Sequence, residues 1–263
     1  MGKMQKIHWI LVFLGVLLMG ECLFAPTPTW AATDWELYQK EGLKSNSWDK
    51  LVQAGFETET QGSAATSYVF LRKAYELGCR DALVLMKLGF YYELKQNFKE
   101  ALPLFSEASV KFEQQYKDHP LQTEADAHAA RLAYQLQLFD ISRKFAEQAL
   151  ILKPNDFGLL FLAGQLQRQA GKLPEAKQRF EQAMQVGAPA ELGFDAQVTM
   201  LRELIVITAQ LEDDQACLKY AEELARKVPG DQLAEKHRQR ILMKRLEQQE
   251  KQRLREIIGS SPL

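Results

Sequence analysis

Three histidines follow the first 33 residues, His119, His128 and His237. With the cysteines and carboxylates, they are the residues able to bind a metal or move a proton. A zinc site needs Cys, His or carboxylate partners at short spacing, and none of the three histidines has one. Asp126 and His128 stand two apart, which on a helix turns their side chains in different directions. Cys79 and Cys217 have no histidine with local support, and neither a glycine-rich phosphate loop nor a nucleophile elbow is present. The pairs Glu222–Glu223 and Asp213–Asp214 read as solvated faces or turns. The expectation is a chain that is not an enzyme and has no catalytic residues, cofactor or metal. A formal charge of −1 gives no global attraction to nucleic acid or acidic membranes.

The elements that must carry any function are helices. Apolar residues fall at three- and four-residue spacing: Leu85, Leu88 and Tyr92 form one stripe, and Ala101, Phe105 and Ala108 form another. The segment 67–71 (SYVFL) has strand character but falls within a helical pattern. Gly89, Ala101, Phe105 and Ala108 recur 75 positions later as Gly164, Ala176, Phe180 and Ala183. Gly and Phe account for only 15 and 14 of the 263 residues, so four coincident matches indicate a repeat. The offset resolves into about two periods of 34 with an insertion of seven. Small residues let two helices approach closely, and the phenylalanine fills the space beside them.

A 34-residue period with Gly, Ala, an aromatic and Ala at fixed places resembles the tetratricopeptide repeat (TPR). Number each repeat so that this Gly is at place 8. Copies then run over 48–81, 82–115, 123–156, 157–190 and 198–231, best in the second and fourth and weakest in the fifth, where Ile205 replaces the Gly. Insertions at 116–122 and 191–197 should appear as lengthened loops or extra helical turns. The resemblance implies an all-α fold, a right-handed α–α superhelix of stacked helical hairpins, closed by a polar C-terminal capping helix over 232–263. It also implies a concave groove lined by the first helix of each repeat. Its nominees here are Phe56, Leu83, Met86, Phe90, Arg131, Tyr134, Phe161, Gln165, Arg168 and Arg202. Such a groove takes an extended peptide or an amphipathic helix from another protein. One subclass reads a C-terminal carboxylate with Lys at place 5 and Asn at place 9. This chain has neither.

Residues 1–32 are of a different character. Lys3 and Lys6 precede an apolar run at 10–19 (ILVFLGVLLM), and Thr29, Ala31 and Ala32 mark an exit: a secretory signal peptide, cut after Ala31 or Ala32. The alternative is an uncleaved anchor, since apolar character stretches from Ile7 to Ala25, although Glu21 interrupts it. Residues 33–47 form a lead-in. Cleavage would leave Cys79 and Cys217, in the first and fifth repeats, and so no disulfide framework. The expectation is an exported, non-enzymatic scaffold that binds another protein in a bacterial envelope assembly. Its place is the periplasm or, with the anchor retained, the inner membrane as part of a secretion or polysaccharide-export machine. It is expected to touch the membrane only in that second case and to bind no nucleic acid.

Overall fold

A computed structural model describes residues 47–117, 119–187 and 193–259. The expected leader and its cleavage point lie outside them. The described residues form eleven α-helices in two units that divide between Lys153 and Pro154.

Unit 1 contains α1 (Trp48–Thr60), α2 (Ala64–Glu76), α3 (Ala82–Leu94), α4 (Phe98–Gln115), α5 (Pro120–Gln135) and α6 (Phe139–Leu152). Unit 2 contains α7 (Phe157–Gln169), α8 (Leu173–Val186), α9 (Gly193–Gln210), α10 (Asp214–Lys227) and α11 (Gln232–Gly259). Within each unit every helix packs on its successor, and α11 also reaches back to α9. No hairpin can cover its own apolar face, so the core is continuous through each stack. Phe70, Leu85, Phe105, Phe112 and Leu132 fill it in unit 1, and Leu160, Leu166, Phe180 and Leu201 in unit 2.

The five turns that close the hairpins share one backbone geometry. Gly62, Gln96, Gln137, Gly171 and Glu212 all have positive φ, between 57° and 86°. Each turn carries the hydrogen-bond pair of a Schellman motif: Asn97 N–H donates to Tyr92 O at 2.9 Å while Gln96 N–H donates to Glu93 O at 2.8 Å. These five positions are spaced 34, 41, 34 and 41 residues apart. The two longer intervals hold the seven-residue insertions, of which residues 120–122 and 193–197 are helical. α4 runs for 18 residues where α2 has 13. α5 starts at Pro120, three residues before the expected repeat boundary, and α9 also runs for 18 residues.

Aspartates start two of the first helices. Asp81 accepts from the Leu83 and Val84 amides, and Asp156 from that of Leu159, satisfying donors that have no partner within the helix. At the centre of three hairpins the glycine at place 8 (Gly55, Gly89 and Gly164) lies under a bulky side chain. A Cβ added to Gly89 would stand 2.9 Å from Cζ of Phe105, and one on Gly164 2.9 Å from Cε1 of Phe180. These last two glycines are therefore required by the rings that lie on them.

Candidate functional site: charged rungs on the first-helix faces

α1, α3 and α5 are the first helices of the unit 1 hairpins, and ion pairs join them in sequence. Lys87 Nζ on α3 donates to Glu59 Oε1 on α1 at 2.5 Å. One step on, Glu93 of α3 meets two residues of α5. Its Oε1 accepts from Arg131 Nη2 at 2.7 Å, and its Oε2 lies 2.6 Å from His128 Nδ1. Arg131 Nη2 is also 2.7 Å from that Nδ1. A carboxylate can only accept, so the network assigns the imidazole proton to Nδ1, donating to Glu93, with the guanidinium hydrogen aimed at the carboxylate.

Burial alone would raise the Glu93 carboxyl, but the His128 hydrogen bond and the Arg131 charge outweigh it and hold it below the usual carboxylate range. Burial pushes His128 below the usual imidazole range, and the Glu93 hydrogen bond offsets that only in part. At neutral pH the rung is therefore one carboxylate, one guanidinium and one neutral imidazole. The His128 ring stacks on Phe105, with centroids 4.8 Å apart, and meets Phe90 edge-on at 4.7 Å. The same Phe105 covers Gly89, so the charged rung and the hairpin core are mechanically joined.

Unit 2 has rungs of opposite polarity. Arg168 Nη1 on α7 lies 2.9 Å from Glu203 Oε2 on α9. Arg202 on α9 donates through Nη2 to Asp231 Oδ2 at 2.6 Å. The other oxygen of Asp231 accepts from the Leu233 and Ala234 amides, each at 3.0 Å, so one carboxylate both caps α11 and ties it to α9. Burial would raise Asp231, but the Arg202 and backbone donors prevail and keep it low.

The residues expected in the groove divide accordingly. Phe90 and Arg131 come together around His128 in unit 1. Phe56 is half-buried on α1, as is Leu83 on α3. Tyr134 is half-buried with its ring edge-on to Phe139 at 5.7 Å. Met86 departs from the expectation. It is only 1 % exposed, because α3 lies between neighbouring hairpins and buries more than one stripe of its surface. In unit 2, Phe161 packs edge-on to Phe180 at 5.5 Å, just as Phe90 does to Phe105 at 5.2 Å in unit 1. Gln165 is half-buried, and Arg168 and Arg202 each serve a rung. Glu59, Lys87, Glu93, His128, Glu203 and Asp231 were not anticipated.

The other candidates for chemistry have structural surroundings. Cys79 and Cys217 are buried and their thiols are pushed up by that burial, although Cys217 Sγ comes within 3.8 Å of His237 Nδ1. Asp213 is engaged, not merely solvated: it caps α10 through the Ala216 amide and accepts from Lys177 at 2.8 Å. Asp214 holds Arg240 and Lys244 of α11. Among the described residues, no three His, Cys, Asp or Glu side chains gather where a metal could bind, and no helix is long and apolar enough to cross a membrane.

Several solved structures share this fold. YrrB, described as a TPR protein with an unusual peptide-binding site, superposes with a TM-score of 0.56 at 18 % identity, over 76 % of this chain and 94 % of YrrB. PilF of Pseudomonas aeruginosa gives 0.52 at 18 % identity, over 88 % of this chain and 95 % of PilF. MamA gives 0.53 at 12 % identity, over 68 % of this chain and 91 % of MamA. The fold is thus a TPR-like solenoid of helical hairpins, as the repeat spacing led us to expect. No curated protein matches the chain in sequence. Residues 16–204 match a family described as uncharacterized protein conserved in bacteria (DUF2225), and with a match over most of its length the chain belongs to that family.

Proposed function

We propose that the chain is an exported, non-enzymatic TPR scaffold that binds a segment of another protein during assembly of a bacterial envelope complex. The observation that carries the reading is the unit 1 face, where Phe90, a half-exposed aromatic ring, stands beside Arg131. Aromatic and Arg side chains held in a rigid frame are the types that dominate binding energy at protein interfaces. The bacterial family and the shared fold support it, as does YrrB, described as a TPR protein with an unusual peptide-binding site. Export rests on the basic, apolar and small-residue order of the first 32 residues.

Affinity capture from envelope extracts tests the scaffold role. Phe90→Ala with Arg131→Ala should lose one specific protein that the wild type retains, with helical circular dichroism unchanged. An unchanged set of captured proteins removes unit 1 as the binding face. The length of the apolar stretch from Ile7 to Ala25 favours a second reading, a membrane-tethered subunit of a secretion or polysaccharide-export machine. The mass of the mature N-terminus separates the two: a start at Ala32 or Thr33 supports export with cleavage, and an intact Met1 supports the tether.

A further inference from the structure

The rungs define what kind of segment the unit 1 face can accept. Leu83, Lys87, Phe90 and Leu94 lie at i, i+4, i+7 and i+11 on α3, along one stripe about 16 Å long at 1.5 Å per residue. Leu83 and Phe90 are half-exposed and Leu94 is 66 % exposed. The single charge in the stripe, Lys87, is already taken by Glu59. Across from it on α5, Arg131 is already paired with Glu93. The stripe on α3 is therefore apolar, with the charges of Lys87 and of Arg131 beside it cancelled in pairs.

A charged ligand group would have to break a rung or add to one. Glu93 is only 15 % exposed, so drawing Arg131 away would strand a largely buried carboxylate. An added carboxylate would share one guanidinium with Glu93 and would also face Glu124, whose charge already acts on His128. A ligand cation would compete with partners that Glu59 and Glu93 already hold.

Arg131 nonetheless keeps capacity to donate. Its contacts with Glu93 and His128 use Nη2 alone, its side chain is 42 % exposed, and among the described residues nothing accepts from Nε or Nη1. A neutral acceptor can take those donors without an electrostatic penalty. In an extended chain that acceptor is a main-chain carbonyl, and alternate side chains then point to one face.

We propose that the unit 1 face binds an extended, uncharged, apolar segment of about five residues from another protein. Arg131 donates to its main-chain carbonyls, and its alternate side chains lie along Leu83, Phe90 and Leu94. This rests on the scaffold reading and deepens it by giving the partner's chemistry. The stripe's length matches five residues at about 3.3 Å each.

The test pans the full chain against two phage libraries of random dodecapeptides, one with the peptide's C-terminus blocked and one with it free. Both should yield clones with apolar residues two apart and few charges. Synthetic peptides from those clones should change affinity less than about twofold between 50 and 500 mM NaCl, the range over which surface charge is screened. Arg131→Ala should weaken them about tenfold. Arg131→Lys should fail to restore affinity, because a single ammonium cannot serve Glu93 and a carbonyl in the same fork geometry. Lys144→Ala, on the exposed side of α6, should leave affinity unchanged.

An acidic consensus, dependence on a free C-terminal carboxylate, or loss of affinity with salt overturns the uncharged-segment proposal but leaves the scaffold reading standing. Failure to enrich any clone, or clones indifferent to both Phe90→Ala and Arg131→Ala, overturns both.

Discussion

Alanine at the three small positions beneath bulky side chains should destabilise in a graded order, Gly89 more than Gly164 and Gly164 more than Gly55. Each change gains about 1 kcal/mol of intrinsic helix preference, and each places a Cβ against a buried side chain. At Gly89 the new carbon would lie 2.9–3.0 Å from three atoms of the Phe105 ring. That ring cannot retreat, because His128 stacks on it at 4.8 Å and Phe90 abuts it at 5.2 Å. Overpacking costs about 1–3 kcal/mol and a clamped ring belongs at the upper end, about 2–3 kcal/mol, so the net loss for Gly89→Ala should be about 1–2 kcal/mol. At Gly164 the approach to Phe180 is the same, 2.9–3.0 Å, but the ring contact recorded for Phe180 is with Phe161 alone. The net loss there should be about 0–1 kcal/mol. At Gly55 the obstacle is Leu71, with Cδ2 at 2.5 Å and Cγ at 2.8 Å, a side chain that can change rotamer, so the two effects should nearly cancel.

Urea midpoints by circular dichroism rank the three variants. Hydrogen exchange should place the Gly89→Ala loss in α3 and α4. In a double-mutant cycle, Phe105→Leu should recover part of it. If Gly89→Ala matches or exceeds the wild type in stability, the glycine is not required by the ring. If all three variants fall equally, the backing by His128 and Phe90 has no energetic weight.

A second prediction concerns Asp126, which is 1 % exposed, accepts from Ser109 Oγ at 2.5 Å, and is pushed up to about 6 by burial, with Glu113 nearby. Its unfolded value is about 3.9, so between roughly pH 4 and pH 6 the native state binds more protons. Stability should therefore rise as pH falls through 6 and reach its full gain near 4. Asp126→Asn keeps an acceptor for Ser109 and removes the charge. It should raise stability at pH 7.5 by about 1–2 kcal/mol and flatten the profile between pH 7.5 and 5. A lower urea midpoint at pH 7.5 refutes this. Glu93 and Asp231 act in the opposite sense: both are held low, and their contributions are lost only as pH falls below the ordinary carboxylate range. The turns supply a third prediction. Gln96, Gln137 and Glu212 hold φ of 57°, 61° and 57°, a conformation that costs a side chain about 1–2 kcal/mol. Each change to Gly should stabilise by about 0.5–1 kcal/mol after the entropy cost of glycine in the unfolded chain. A triple variant whose melting temperature does not rise contradicts it.

What was legible in the sequence was whatever side-chain size alone dictates. Gly89 under Phe105 and Gly164 under Phe180 are visible because no other residue types satisfy that contact, and the repeat period follows from them. The turns were half legible. Gly62 and Gly171 show the left-handed position, but Gln96, Gln137 and Glu212 do not. There the Schellman hydrogen bonds impose the geometry on residues with no preference for it. Met86 shows the limit of transferring groove places between repeats: a helix enclosed by neighbours turns even a groove place inward.

The rungs were missed because charges were judged against near neighbours in sequence. Their partners lie one hairpin away. In repeat numbering Glu59, Glu93 and Arg168 all occupy place 12, and Lys87, His128 and Glu203 all occupy place 6 of the next repeat. The separations are 28, 35 and 35 residues, or 28 in every case once the intervening seven-residue insertion is removed. Both insertions fall within bridged intervals, yet both rungs survive. This follows if the added residues extend α4 at its C-terminal end and α5 and α9 at their N-terminal ends, and leave the stacking of first helices in step. A stack kept in step this way needs each rung to match its own neighbour only, which is why the polarity can be acidic-to-basic in unit 1 and basic-to-acidic in unit 2. Charge in the rungs thus serves register between hairpins, and the partner surface we propose is the apolar stripe between them.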